Sequence, residues 1–139
     1  METSELRRRL TQTIERAKKR AAERRTRSDQ AALAFDGFLK TTAVPLFKQA
    51  ANILKSEGYP FTLFTPAGSV RLMSDRVTED FIEIALDVSG DAPEVVGHVS
   101  RSRGRRVVET ERHIGAPATL TEAELLDFLD NELEAFVDR

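Results

Sequence analysis

The chain has 139 residues, 40% of them hydrophobic and 32% charged, a formal net charge of −2 and no cysteine. That length suits one domain with a core large enough to need no staple, and the missing cysteine excludes disulfides, thiolate metal sites and cysteine nucleophiles. No apolar run reaches the ~18–20 residues of a membrane span, and the N-terminus lacks the apolar stretch of a secretory signal, so a cytoplasmic protein without membrane contact is expected.

Residues 2–27 read as a helix. Helix formers dominate, glycine and proline are absent, and Glu5–Arg9, Glu15–Lys19 and Glu23–Arg27 are favourable i,i+4 pairs. Leu10, Ile14, Ala17 and Ala21 form a thin seam at alternating four- and three-residue spacing, followed by Arg24 and Ser28 at the next seam positions. This is about two heptads of weak coiled-coil pattern. A helix so polar all round is expected to project or to pair with another chain. Residues 1–30 hold ten Lys/Arg against five Asp/Glu, a net of +5, while residues 31–139 carry −7. Such asymmetry fits a basic arm that contacts nucleic acid, or two halves that attract each other.

Residues 26–30, TRSDQ, read as a joint, with Ser28 as the N-cap of a second helix. The expected organisation is therefore an arm over 1–28 and a single domain over 29–139. The second helix, about 29–57, shows the stripe Ala31, Phe35, Phe38, Thr42, Leu46, Ala50 and Ile53, widened by Leu39, Phe47 and Leu54. The stripe is read as crossing Pro45 in phase, which predicts a proline-kinked helix stopping near Gly58. Phe35, Phe38 and Phe47 are expected in the core.

From Tyr59 the period changes to two. Strands are predicted at 61–65, 69–74, 80–88, 94–101 and 105–114, joined by short polar turns, so an antiparallel meander is the economical topology. The final helix is marked by a capping box, Thr121 with Glu124, a staple of Leu120 with Leu125, and a stripe of Leu125, Leu126, Leu129, Leu133, Phe136 and Val137. The whole is an α+β fold: a five-stranded antiparallel sheet packed on one face by the kinked helix and the C-terminal amphipathic helix, with the basic N-terminal helix projecting.

Chemistry is harder to find. Arg101, Arg103, Arg105 and Arg106 crowd a hairpin tip. A three-residue loop, Ser102-Arg103-Gly104, would set Arg101 opposite Arg105 and Arg106 on the other face, so that the guanidiniums fan out. The tip is then chiefly a solvated, edge-protecting feature, with phosphate contact or pairing with the acidic last helix as alternatives. Arg7, Arg8, Arg9, Arg16, Lys18, Lys19, Arg20, Arg24, Arg25 and Arg27 span some 30 Å of helix at 1.5 Å per residue, a better surface for phosphates. His98 and His113 are read at opposite ends of the hairpin, too far apart to share a metal. Asp87, Ser89 and Asp91 read as a turn, not a calcium loop. Glu79–Asp80 shows no sign of facing a cleft, and no nucleophile or phosphate-loop motif is present.

These readings lead to a non-enzymatic, self-associating interaction module, a homo-oligomer or protein-binding unit that pairs through Leu10, Ile14, Ala17 and Ala21. The alternative is sequence-nonspecific nucleic-acid binding through the basic residues just named, aided by the hairpin arginines. A further alternative is a small-molecule cup between sheet and helices, which Tyr59, Glu83 and His98 could serve only if the strand faces differ. No catalytic residue, cofactor or metal is expected.

Overall fold

A computed structural model describes residues 1–138. Helix α1 runs from Thr3 to Phe38, passes into a π-helical turn over Leu39–Ala43, and continues as α2, Val44–Ser56. Strands β1 (Phe61–Phe64), β2 (Ser69–Ser74), β3 (Phe81–Asp87), β4 (Glu94–Arg103) and β5 (Arg106–Gly115) follow, then α3, Glu122–Val137. The sheet order is β1-β2-β3-β4-β5, every pair antiparallel, so the expected meander and the α+β class are what the chain adopts. Among the described residues no helix is long and apolar enough to cross a membrane.

The expected break at Ser28 does not occur: α1 is uninterrupted through 26–30. Nothing in TRSDQ forbids a helix, since it holds neither glycine nor proline. The cost of Ser and Asp in a helix interior is only a few tenths of a kcal/mol each relative to the better formers, about what propensity scales span. Burial of Ala31, Phe35 and Phe38 just downstream anchors the run.

The second correction is one of phase. From the end of the π-turn the buried residues are Ala43, Phe47, Ala51 and Leu54, one position later than the main expected stripe of Thr42, Leu46, Ala50 and Ile53, although Phe47 and Leu54 belong to its expected widening; Ile53 is 62% exposed. A π-turn closes i→i+5 and inserts one residue into the helical path, and Val44 N–H accordingly bonds to the Leu39 carbonyl. The insertion sits directly before Pro45, which has no N–H to give and whose ring would collide with the Thr41 carbonyl in a regular α-turn. Helix α2 ends at Ser56, and Gly58 follows at positive φ, with Tyr59 N–H reaching back to the Leu54 carbonyl at 2.7 Å.

Only one sheet face is covered. Phe61, Val70, Leu72, Ile82, Ile84, Val95 and Val99 meet Phe35, Phe47, Leu125, Leu129 and Phe136 in a single core. Helix α3 starts as anticipated: Thr121 Oγ1 accepts from Glu124 N–H, and Glu124 returns a bond to Thr121 N–H. Its stripe differs at one place. Leu126 is 51% exposed, and Phe128 is buried instead. The tip of the Phe128 ring points at Gly97, where a β-carbon would stand 2.2 Å from it, so the helix approaches the sheet through a gap that only glycine leaves.

Candidate functional site

The outer half of α1 carries the residues proposed for pairing. Every side chain from Met1 to Arg20 is exposed. Leu10 and Ile14 are 54% and 52% exposed, and Ala17 is open to solvent with them. Ala21 is half-buried, because the helix passes the β3–β4 loop there. A cleft of about 510 Å³ separates residues such as Ala21, Arg24 and Ser28 from Val88, Asp91 and Pro93. In that loop Asp87 Oδ1 accepts from both Ser89 N–H (2.8 Å) and Ser89 Oγ (2.6 Å). The hydroxyl bond first, then the backbone bond, holds the Asp87 carboxyl below the ordinary aspartate value of 3.8.

Because α1 does not break, its thin seam and its core stripe share one phase: 10, 14, 17, 21, 24, 28, 31, 35, 38. The seam that enters the core at Ala31, Phe35 and Phe38 continues outward, turning about 20° around the helix per heptad, to Leu10 and Ile14. Arg7, Arg8, Arg9, Arg16, Lys18, Lys19, Arg20, Arg24, Arg25 and Arg27 are likewise all exposed. Only Arg9 finds a carboxylate among the described residues, Glu5 at 3.7 Å. Pairing of this helix with α3 of the same chain is therefore not what the structure contains.

The hairpin register departs from expectation. Arg103 pairs with Arg106, Arg101 with Val108 and Ser102 with Val107. The turn is the two-residue Gly104-Arg105, with Gly104 at φ 64° and Arg105 not at positive φ. This is the pattern of a type II′ turn, which places glycine first. The loop is thus one residue shorter and shifted by one relative to the expected Ser102-Arg103-Gly104. The consequence is large, since a one-residue change of register exchanges faces. Arg101, Arg103 and Arg106 now share the helix-bearing face of the sheet with Val99, Thr110 and Arg112, and Arg105 alone sits in the turn. The guanidiniums do not fan out.

That face forms a groove beside α3. It has a volume of about 420 Å³, with Val99, Val108, Phe128 and Phe136 along its apolar part and Arg101 at its side. Arg112 Nε donates to Glu132 of α3 across the groove. A second hollow of about 430 Å³ shares Arg101 and Ala135 with it and reaches Arg103 and Asp138.

The uncovered face is polar and locally satisfied. Arg71 Nε donates to Glu83, its guanidinium stacks 4.2 Å from the Phe81 ring centre, and Phe81 meets His98 edge-on at 5.6 Å. His98 lies opposite Glu111 and His113 opposite Val96, so the two histidines are diagonal neighbours on one face and not at opposite ends of the hairpin. Each has its own carboxylate: Glu109 lies 3.8 Å from His98 Nε2 and Glu94 lies 2.8 Å from His113 Nδ1. Among the described residues no group of three or more ligating side chains converges as a metal site would require. Glu83 and His98 face away from the helices, so neither enters the space under α3. Asp80 is buried, and its Oδ1 accepts from Ser102 N–H (2.7 Å) and Ser102 Oγ (3.1 Å), tying the start of β3 to β4.

No family model, curated protein or solved structure matches this chain.

Proposed function

We propose that this protein is a non-enzymatic, self-associating module of the cytoplasm that pairs through the outer half of α1. The observation that carries the reading is the unbroken helix, which takes its apolar seam past the edge of the domain in phase with the core. From Thr3 to Arg20 it projects some 27 Å, at 1.5 Å per residue, with every side chain in solvent. A segment of that length is marginal as a lone helix in water, and most helical stability comes from packing an apolar face. A second copy supplies such a surface, with Leu10, Ile14, Ala17 and Ala21 meeting their equivalents. The surrounding arginines then favour contact at the acidic surface of the partner and steer orientation more than they add affinity. Sedimentation equilibrium of the full chain tests this: a concentration-dependent dimer is expected, and Ile14→Asp is expected to leave only monomer. A wild-type chain that stays monomeric at every concentration refutes it.

A second reading rests on a separate observation, the near absence of carboxylate partners for the basic side chains of α1. Free guanidiniums and ammoniums along one rod suit a phosphate backbone without sequence preference. Retention of mixed-sequence DNA or RNA on a filter at about 50 mM salt, falling steeply as salt is raised, supports it. No retention at that salt removes it.

A further inference from the structure

We propose that the groove between the β4–β5 hairpin and α3 binds a small organic monoanion, a carboxylate on a short apolar body. The groove's volume of about 420 Å³ is that of a small-molecule site, for which about 300–1,000 Å³ is usual. Its chemistry is divided. Val99, Val108, Phe128 and Phe136 give an apolar floor, and Val108 is left 39% exposed. Arg101 stands at the side of this floor, half-buried, its guanidinium making no hydrogen bond or ion pair among the described residues. The neighbouring cation, Arg112, is already paired with Glu132, so that carboxylate is engaged elsewhere.

A partly desolvated guanidinium without a counter-charge is unfavourable, and an anion that accepts two parallel N–H bonds relieves it. The planar fork of arginine fits a carboxylate in that way. Beyond Arg101, Arg103 stands directly opposite Arg106, a like-charge pair that costs stability in an empty sheet and that an anion at the mouth offsets. Asp138 lines the adjoining hollow and disfavours a polyanion. Inorganic phosphate uses the charge but not the floor. A nucleic-acid backbone reaches the tip but leaves Val108 uncovered. A monoanion with an apolar body uses both, and the site asks nothing of α1.

The test is an NMR titration of the full chain with sodium octanoate, 1-octanol and inorganic phosphate in parallel. Saturable shifts of Val99, Val108 and Phe128 with octanoate in the millimolar range or below are expected. Arg101→Gln is expected to weaken octanoate at least about tenfold, the loss of a charge-assisted hydrogen bond, while octanol is unaffected. Arg105→Gln, in the turn, is expected to change nothing. Arg101→Lys serves if the glutamine variant loses its dispersed amide spectrum; it keeps the charge but not the fork, and an intermediate loss is expected. Three outcomes overturn the proposal: no saturable shift with octanoate, equal binding by both Arg101 variants, or phosphate saturating the same resonances as tightly as octanoate.

Discussion

Helix α1 holds two regions that differ in everything but geometry. Residues 31–38 bury Ala31, Phe35 and Phe38 under the sheet; residues 3–20 bury nothing. Both keep the same heptad phase, and no turn separates them. Backbone regularity therefore says little about what stabilises each half. The inner half is held by apolar area removed from water. The outer half has propensity, the Glu5–Arg9 pair, the exposed hydrogen bonds of Thr13 with Arg9 and Arg16, and continuity with its neighbour, and Glu2 at its start supplies no side-chain cap. The free end of such a helix is where local opening costs least.

The sharpest way to break the contrast is to place the same change on both halves. Phe35→Asp removes a buried ring, which alone costs about 3–5 kcal/mol, and adds an unpaired charge, so the domain is expected to unfold. Ile14→Asp is expected to leave monomer stability within about 0.5 kcal/mol, read by urea denaturation, and to act only on association. If both variants unfold, the outer half is part of the core after all.

The π-turn at the far end of the inner half offers a second cut. Deleting Lys40 removes the extra residue, restores an α-helical path and keeps Ala43, Phe47, Ala51 and Leu54 in line with Phe35. It also forces Pro45 into a regular turn, at about 3 kcal/mol. Combining the deletion with Pro45→Ala is expected to recover most of that loss. Denaturant midpoints of the two variants measure the coupling, and equal midpoints would show that the proline does not set the turn.

A smaller effect comes from the helix that does have a cap. Thr121→Ala strips the capping box of α3 and leaves its end as bare as that of α1. A loss of about 1 kcal/mol is expected, with faster amide exchange confined to the first turn. The smallest effect lies where the two halves of α1 diverge, at the loop facing Ala21. Asp87 has its folded pKa below the unfolded one, so its contribution is present above the unfolded value of 3.8 and fades as pH falls through the folded value. The carboxyl is fully exposed, so the change in overall stability is slight. Its readout is the pH midpoint of the residue-89 amide shift, which Ser89→Ala is expected to raise back toward the ordinary aspartate range.

The strands, the meander and the start of α3 were legible because period-two alternation and a capping box each have one reading. The phase of α2 was not. Leu46 and Phe47, Ala50 and Ala51, Ile53 and Leu54 offer apolar side chains at both candidate phases, so periodicity alone does not choose between them. Phe128 was hidden for a related reason: the α3 stripe is wide enough to include Leu126, and only Gly97 on the opposing strand selects the ring. The groove was invisible because it depends on hairpin register. Gly104 serves equally as the last residue of a three-residue loop or the first of a two-residue turn, and the choice decides whether Arg101, Arg103 and Arg106 share a face. The arm was legible from composition alone, since no phase of residues 3–20 has enough apolar area to bury.

The order of the sheet has a kinetic consequence. Each strand bonds only to its neighbours in the chain, so every pairing closes a short loop and carries a small entropic penalty. The hairpins can zip up one after another as the polypeptide emerges, and the contact that must wait is the return of α3 across the finished strands. For a protein built around a sheet, this wiring places folding at the rapid end of what such topologies reach.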